Sequence, residues 1–135
     1  MTAHTQKLTR FNPHLIYGSD AVVSALMGIA LLATATPLTA MVEWTLPASF
    51  LWTVGLLLLP WATFNLWIAL TARPASSVVT GNILGDTAWV VGSAVLVAVQ
   101  APSLSQLGLL LLVAQGIAVA VVLLTKILGR AELVR

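Results

Sequence analysis

The stretch GNILGDTAWVVG, residues 81–92, sets an aspartate inside a run that otherwise suits hydrocarbon. What surrounds Asp86 decides the fold. The chain has 135 residues, 59% of them hydrophobic and 7% charged, where a soluble domain carries about 25% charged residues. So few charges cannot cover a core with a hydrated surface. The mean hydropathy of +1.02 agrees, so the solvent expected for most side chains is lipid. A net charge of +2 describes a handful of Lys and Arg and no nucleic-acid surface. No cysteine is present, which excludes disulfides and thiolate metal sites.

Working outward from Asp86, four apolar stretches come near the ~20 residues that cross a bilayer, at roughly 15–36, 48–71, 78–99 and 106–128. The expectation is one all-α domain over residues 1–135, a four-helix transmembrane bundle. Asn12-Pro13 reads as the start of the first helix and Pro37 as its stop. Pro47 suits the first turn of the second. Ser76 or Ser77 is placed to cap the third. Ser103 and Gln106 have capping-box spacing ahead of the fourth, and Gly129 reads as its end. Pro60, inside the second helix, should kink it and free a carbonyl one turn earlier.

Lys7, Arg10, Arg73, Lys126, Arg130 and Arg135 all fall in segments that alternate helices bring to one side, while the intervening loops at 37–47 and 100–105 hold neither Lys nor Arg. The positive-inside rule makes the basic side cytoplasmic, with both termini inside and Trp44 and Trp52 at the opposite interface. The first forty residues also have the outline of a signal peptide ending Leu38-Thr39-Ala40. Leu38 is too large for the position three before such a cut, so the segment is read as a retained span.

The halves echo each other. GSDAVVSA (18–25) parallels GDTAWVVGSA (85–94), and GLLLL occurs at 55–59 and 108–112. A duplication of two hairpins would be a parallel repeat, with Asp20 and Asp86 as equivalent acids; chance matching of Leu-rich helices is the alternative.

Asn82, Asp86, Trp89 and Ser93 share one face of the third helix by their 4-3-4 spacing, and Asp20, Ser24 and Met27 or Gly28 share a face of the first. With Asn65, these residues form an expected intramembrane polar cluster in the same half of the bilayer: Asp86, Asn82, Asn65, Asp20 and Ser24. An aspartate at a helix centre costs on the order of 2.5–3.5 kcal/mol on the insertion scale, so these faces should turn inward, where Asn, Ser or water offsets that cost. A protonated carboxyl at this depth both donates and accepts and links helices without carrying charge. No basic residue is expected to partner Asp86 inside the membrane. Two readings stay open: a proton, ion or substrate group, or an interhelical hydrogen bond that sets register.

Gly81 and Gly85 form a G-x-x-x-G, and Ser24 with Gly28 a small-x-x-x-small pair, both suited to close helix packing. Gln115 reads as interhelical glue or as a contact with a partner chain. Trp61 and Trp89 come out at one level, where they fill space or line a pocket for a flat apolar ligand. His4 and His14 are the only histidines and are read as lying outside the spans, so a bis-histidine haem is not expected. No Ser-His-Asp set, Walker loop or metal cluster is seen, and the loops are too short for a catalytic domain.

GDTAWVVGSAVLV, with the preceding Arg73-Pro74 turn, resembles the third helix of small four-span bacterial membrane proteins that are mostly uncharacterised. The chain also resembles DoxX-like proteins in size and span count, without a DoxX signature to carry over. The resemblance implies a bacterial inner-membrane protein and transfers no site.

The function expected first is that of a non-catalytic accessory subunit of a larger respiratory or photosynthetic membrane complex. The alternatives are a small oligomeric transporter or channel using Asp86 as its proton- or ion-coupling group, and a lipid- or quinone-binding membrane protein. No cofactor or metal is expected, though a bound lipid, quinone or pigment is compatible. The expected partners are membrane lipid and other membrane subunits or self, with no nucleic acid.

Overall fold

The computed structural model describes residues 11–135 and contains four helices: α1 (Pro13–Val42), α2 (Ala48–Leu70), α3 (Ser76–Gln100) and α4 (Gln106–Leu133). Each is long and apolar enough to cross a membrane, and the chain is a multi-pass membrane protein by that measure. Lys7, Arg10 and His4 lie outside the described residues.

Local chemistry fixes the boundaries. The Asn12 side chain accepts the His14 N–H at 3.1 Å, and Pro13, with no N–H to satisfy, opens α1. Pro37 does not stop that helix, contrary to the sequence reading. The chain continues to Val42 and ends where Glu43 takes the left-handed conformation, φ 58°, and donates its N–H to the Thr39 carbonyl. Proline is tolerated in membrane helices, and here the turn beyond it is anchored. Val42 is buried against Gly108, and its carbonyl accepts the Ser105 N–H at 2.9 Å.

Three further boundaries also differ from expectation. Ala75, which has no side-chain oxygen, holds the N-cap position of α3, so Ser76 falls inside the helix, where its hydroxyl accepts from Arg130 at 2.7 Å. Ser105, not Ser103, caps α4 by accepting the Gly108 N–H at 3.0 Å. Gly129 lies inside α4, which continues to Leu133 because the added turn is packed. Gly129 itself sits against Phe11 and Pro13, and Leu133 is fully buried.

Interhelical hydrogen bonds establish the alternating, antiparallel order. At one end, His14 Nδ1 lies 3.1 Å from the Ala69 carbonyl, joining the start of α1 to the end of α2. His14 thus belongs to the first turn of a span and bonds across helices. Arg130 ties α4 to Ser76 and Thr80 of α3 at the same end. At the other end, Gln100 Oε1 accepts both the backbone N–H and the hydroxyl of Thr45.

The apolar core has two parts. Tyr17, Ile68, Val79 and Leu133 close the end that holds the start of α1. Leu31, Ala35, Leu51 and Leu58 pack toward the opposite end. Between them α1 and α2 approach most closely at Gly28 and Gly55. A methyl group on either glycine would lie 2.9 Å from the other's carbonyl oxygen, so absence of a side chain permits the contact.

Candidate functional site

Lys126 is completely buried, and all four helices converge on it. Its Nζ donates to Asp20 Oδ2 of α1 at 2.5 Å, Asn65 Oδ1 of α2 at 2.9 Å, and Asn82 Oδ1 and Asp86 Oδ2 of α3 at 2.9 and 2.6 Å. The Tyr17 ring covers another side, with its centroid 4.7 Å from Nζ, a cation–π contact. A buried ammonium is tolerated only when paired and hydrogen-bonded. Here four oxygens surround a group with three protons.

The surrounding polar groups are themselves oriented. Asn65 uses its amide nitrogen on the Trp61 carbonyl of its own helix, 3.1 Å away, which turns its oxygen toward Lys126. The Asn82 amide nitrogen reaches Asn65 Oδ1 at 3.3 Å. Ser24 donates to Asp20 Oδ1 at 3.2 Å, one helical turn along α1. The structure therefore brings Asp20, Ser24, Asn65, Asn82 and Asp86 into one cluster.

The expectation that Asp86 has no basic partner in the membrane is overturned by the Lys126 pair. The reason is helix length. A span ending near 128 puts Lys126 at the lipid–water boundary, whereas α4 runs to Leu133 and places it roughly 10 Å inside, at ~1.5 Å per residue. The sequence did hold the signal. Two acids within apolar helices demand a cation, and Arg130 and Arg135 suffice to mark the boundary.

Beside the cluster lies a cleft of about 800 Å³, with walls from all four helices. Asp20, Asp86 and Ser24 form its polar end; Met27, Leu57, Trp61, Trp89 and Val122 are among its apolar walls. The volume falls within the roughly 300–1,000 Å³ of small-molecule sites, which are mostly apolar with a few placed polar groups. Leu15, Val23, Met27 and Val121, on α1 and α4, line the cleft and are exposed, as is Leu57 of α2, so they form its mouth. The helices α1 and α4 touch near both their ends, Val42 on Gly108 and Pro13 on Gly129, so between them the cleft opens on the side of the bundle.

Trp61 and Trp89 both line this cleft, and each is fixed differently. The Trp61 ring rests on Gly85, where a Cβ would collide with it, and meets Phe64 edge-on. Trp89 donates Nε1–H to Gln115 Oε1 at 2.9 Å, while the Gln115 amide nitrogen bonds Ser93 at 2.9 Å. Gln115 thus ties α3 to α4. Among the glycines singled out for packing, Gly28 meets Gly55 of α2, Gly85 accommodates Trp61, and Gly81 faces open space.

Comparison with family models, with curated proteins and with solved structures finds no match for this chain.

Proposed function

We propose that this protein is a non-catalytic, membrane-embedded binding protein that takes an apolar-bodied ligand sideways from the bilayer. The observation that carries this reading is the lateral cleft, apolar along most of its wall and polar where Asp20, Asp86 and Ser24 meet. A purely structural bundle has no use for such an opening beside its most heavily bonded residue. An accessory-subunit role draws on the exposed apolar faces of α3 and α4, which any span presents to lipid, so the cleft weighs more. Transport is the second reading, favoured by the position of Asp86 at once on the cleft and on Lys126. Asp86 would then be the coupling group.

Filling the cleft tests the binding reading. Ala118 lines it from α4, and Ala118→Phe should cut retention of hydrophobic ligand at least tenfold in native mass spectrometry, with helicity unchanged. Equal retention by the variant would remove the cleft from the function.

We also infer that both termini are cytoplasmic, in a bacterial inner membrane. Arg73, Arg130 and Arg135 share the end that holds the start of α1, and the other end carries Glu43 without Lys or Arg. The chain has no cysteine, so single-cysteine variants at Thr45 and Ala75 report orientation directly; labelling of Ala75→Cys from the outer face would reverse it. A duplicated hairpin is supported by Asp20 and Asp86 sharing one partner, although Arg73, the echo of Lys126, is exposed in a loop.

A further inference from the structure

We infer that the cleft selects a cation with an apolar body, and that Asp86 supplies the charge that holds it. This rests on the cleft being a binding site, and it names what the site discriminates.

Charge is the first ground. Asp20 and Asp86 face a single ammonium, Lys126, so two carboxylates and one lysine sum to a formal charge of −1. Among the described residues no other Lys or Arg lies within ion-pair distance of either acid. The nearby Arg130 gives its terminal nitrogen to Ser76 and Thr80. An uncompensated charge among apolar walls is costly, and a cationic guest removes it.

Hydrogen-bond direction is the second. Lys126 directs its protons to Asp20, Asp86, Asn65 and Asn82 and does not line the cleft. The Ser24 hydroxyl is given to Asp20, and the Trp89 N–H to Gln115. Asp86 is 3% exposed, lines the cleft, and spends only Oδ2 on Lys126; Oδ1 accepts from no described residue. At Asp86 the polar end therefore offers an acceptor to a guest, while the Ser19 hydroxyl lies on the exposed part of the lining. A quinone carbonyl or an anionic head, itself an acceptor, meets a carboxylate at Asp86. To an ammonium or phosphonium the same group is a counter-charge.

The third ground is the wall. Trp61 and Trp89 flank the same space, and the indole face is the best aromatic surface for a cation. An ammonium on an apolar body has two sources, a free lipophilic amine or an aminolipid headgroup, and both satisfy this chemistry.

Two ions of nearly the same shape and opposite charge decide the matter: tetraphenylphosphonium and tetraphenylborate, measured by equilibrium binding to the intact protein in nanodiscs against empty discs. Tetraphenylphosphonium should bind at least tenfold more tightly than tetraphenylborate. Asp86→Asn, which retains the Lys126–Asp20 pair, should abolish that preference. Asp20→Asn should also reduce the preference and serves as the second variant if Asp86→Asn does not fold. Equal binding of both ions, or an unchanged preference in the Asp86→Asn protein, would overturn the charge rule while the binding reading survives. Failure of the phosphonium, the borate and neutral tetraphenylsilane alike would sink both. Discs of phosphatidylglycerol with and without phosphatidylethanolamine separate the two sources: loss of phosphonium binding when ethanolamine lipid is present assigns the cation to a headgroup, and undiminished binding assigns it to a free amine.

Discussion

The two hairpins of this bundle are held together by opposite means. Between α1 and α2 the backbones meet at Gly28 and Gly55, and Leu31, Leu51 and Leu58 close around them. Between α3 and α4 the ties are polar: Trp89 and Ser93 to Gln115, and Ser76 and Thr80 to Arg130. Over an eighteen-residue apolar stretch of each helix, 22% and 28% of the residues are buried in the first hairpin and only 11% and 6% in the second, so the second is the less covered by its own chain. In a bilayer the hydrophobic effect does not press helices together; close packing and hydrogen bonds must do so. The first hairpin uses the former and the second the latter. Hydrogen bonds hold helices at points, without sealing the space between those points, which is why the cleft can open along α4.

Lys126 joins the two hairpins, and replacing it should have the largest effect. Lys126→Met removes the cation and strands the buried Asp86 and the half-buried Asp20 carboxylates, a loss of roughly 3–5 kcal/mol by analogy with broken buried pairs. Reversible unfolding in mixed micelles measures it. Adding Asp20→Asn and Asp86→Asn to the same chain should recover most of that stability, since the stranded charges go with the lysine. A Lys126→Met protein as stable as the parent would mean that the hairpins do not depend on this cluster.

The glycine contact comes next. Gly28→Leu must force two backbones apart, at about 1–3 kcal/mol for overpacking. Gly81→Leu makes the same chemical change where a Cβ meets open space, and it should stay within about 0.5 kcal/mol of the parent. Comparable losses from the two variants would deny that the first hairpin is built on backbone contact.

Smallest is the polar tie of the second hairpin. Gln115→Leu removes the bonds to Trp89 and Ser93 and should cost about 1 kcal/mol, at roughly 0.6 kcal/mol for each such bond in a membrane. A loss larger than that of Gly28→Leu would show that the two hairpins are less different than their contacts indicate.

Periodicity carried part of the site into view. The 4-3-4 spacing of Asn82, Asp86, Trp89 and Ser93 puts them on one face of α3, and the structure turns Asn82 and Asp86 to Lys126 and Trp89 to the cleft. A face is a property of one helix, so spacing reveals it. Partners are a property of two. Gly28 was legible as a small residue, but its match with Gly55 depends on the relative height of α1 and α2. Spacing pairs Gly85 with Gly81 as a packing motif, yet Gly85 receives the Trp61 ring and a Cβ at Gly81 would meet open space.

By itself the sequence determined the solvent and the architecture. The shortage of charge and the length of four apolar runs leave no other way to satisfy the backbone in hydrocarbon than four helices. Only the tertiary structure decided what Lys126 is. Hydropathy measures a residue against its neighbours along the chain, and by that measure a lysine near the end of a span belongs to the boundary. Its true environment depends on how far α4 continues and which way it is rotated, and those are set by packing at Gly129 and Leu133 and by acids that lie 40 and 106 residues away in sequence.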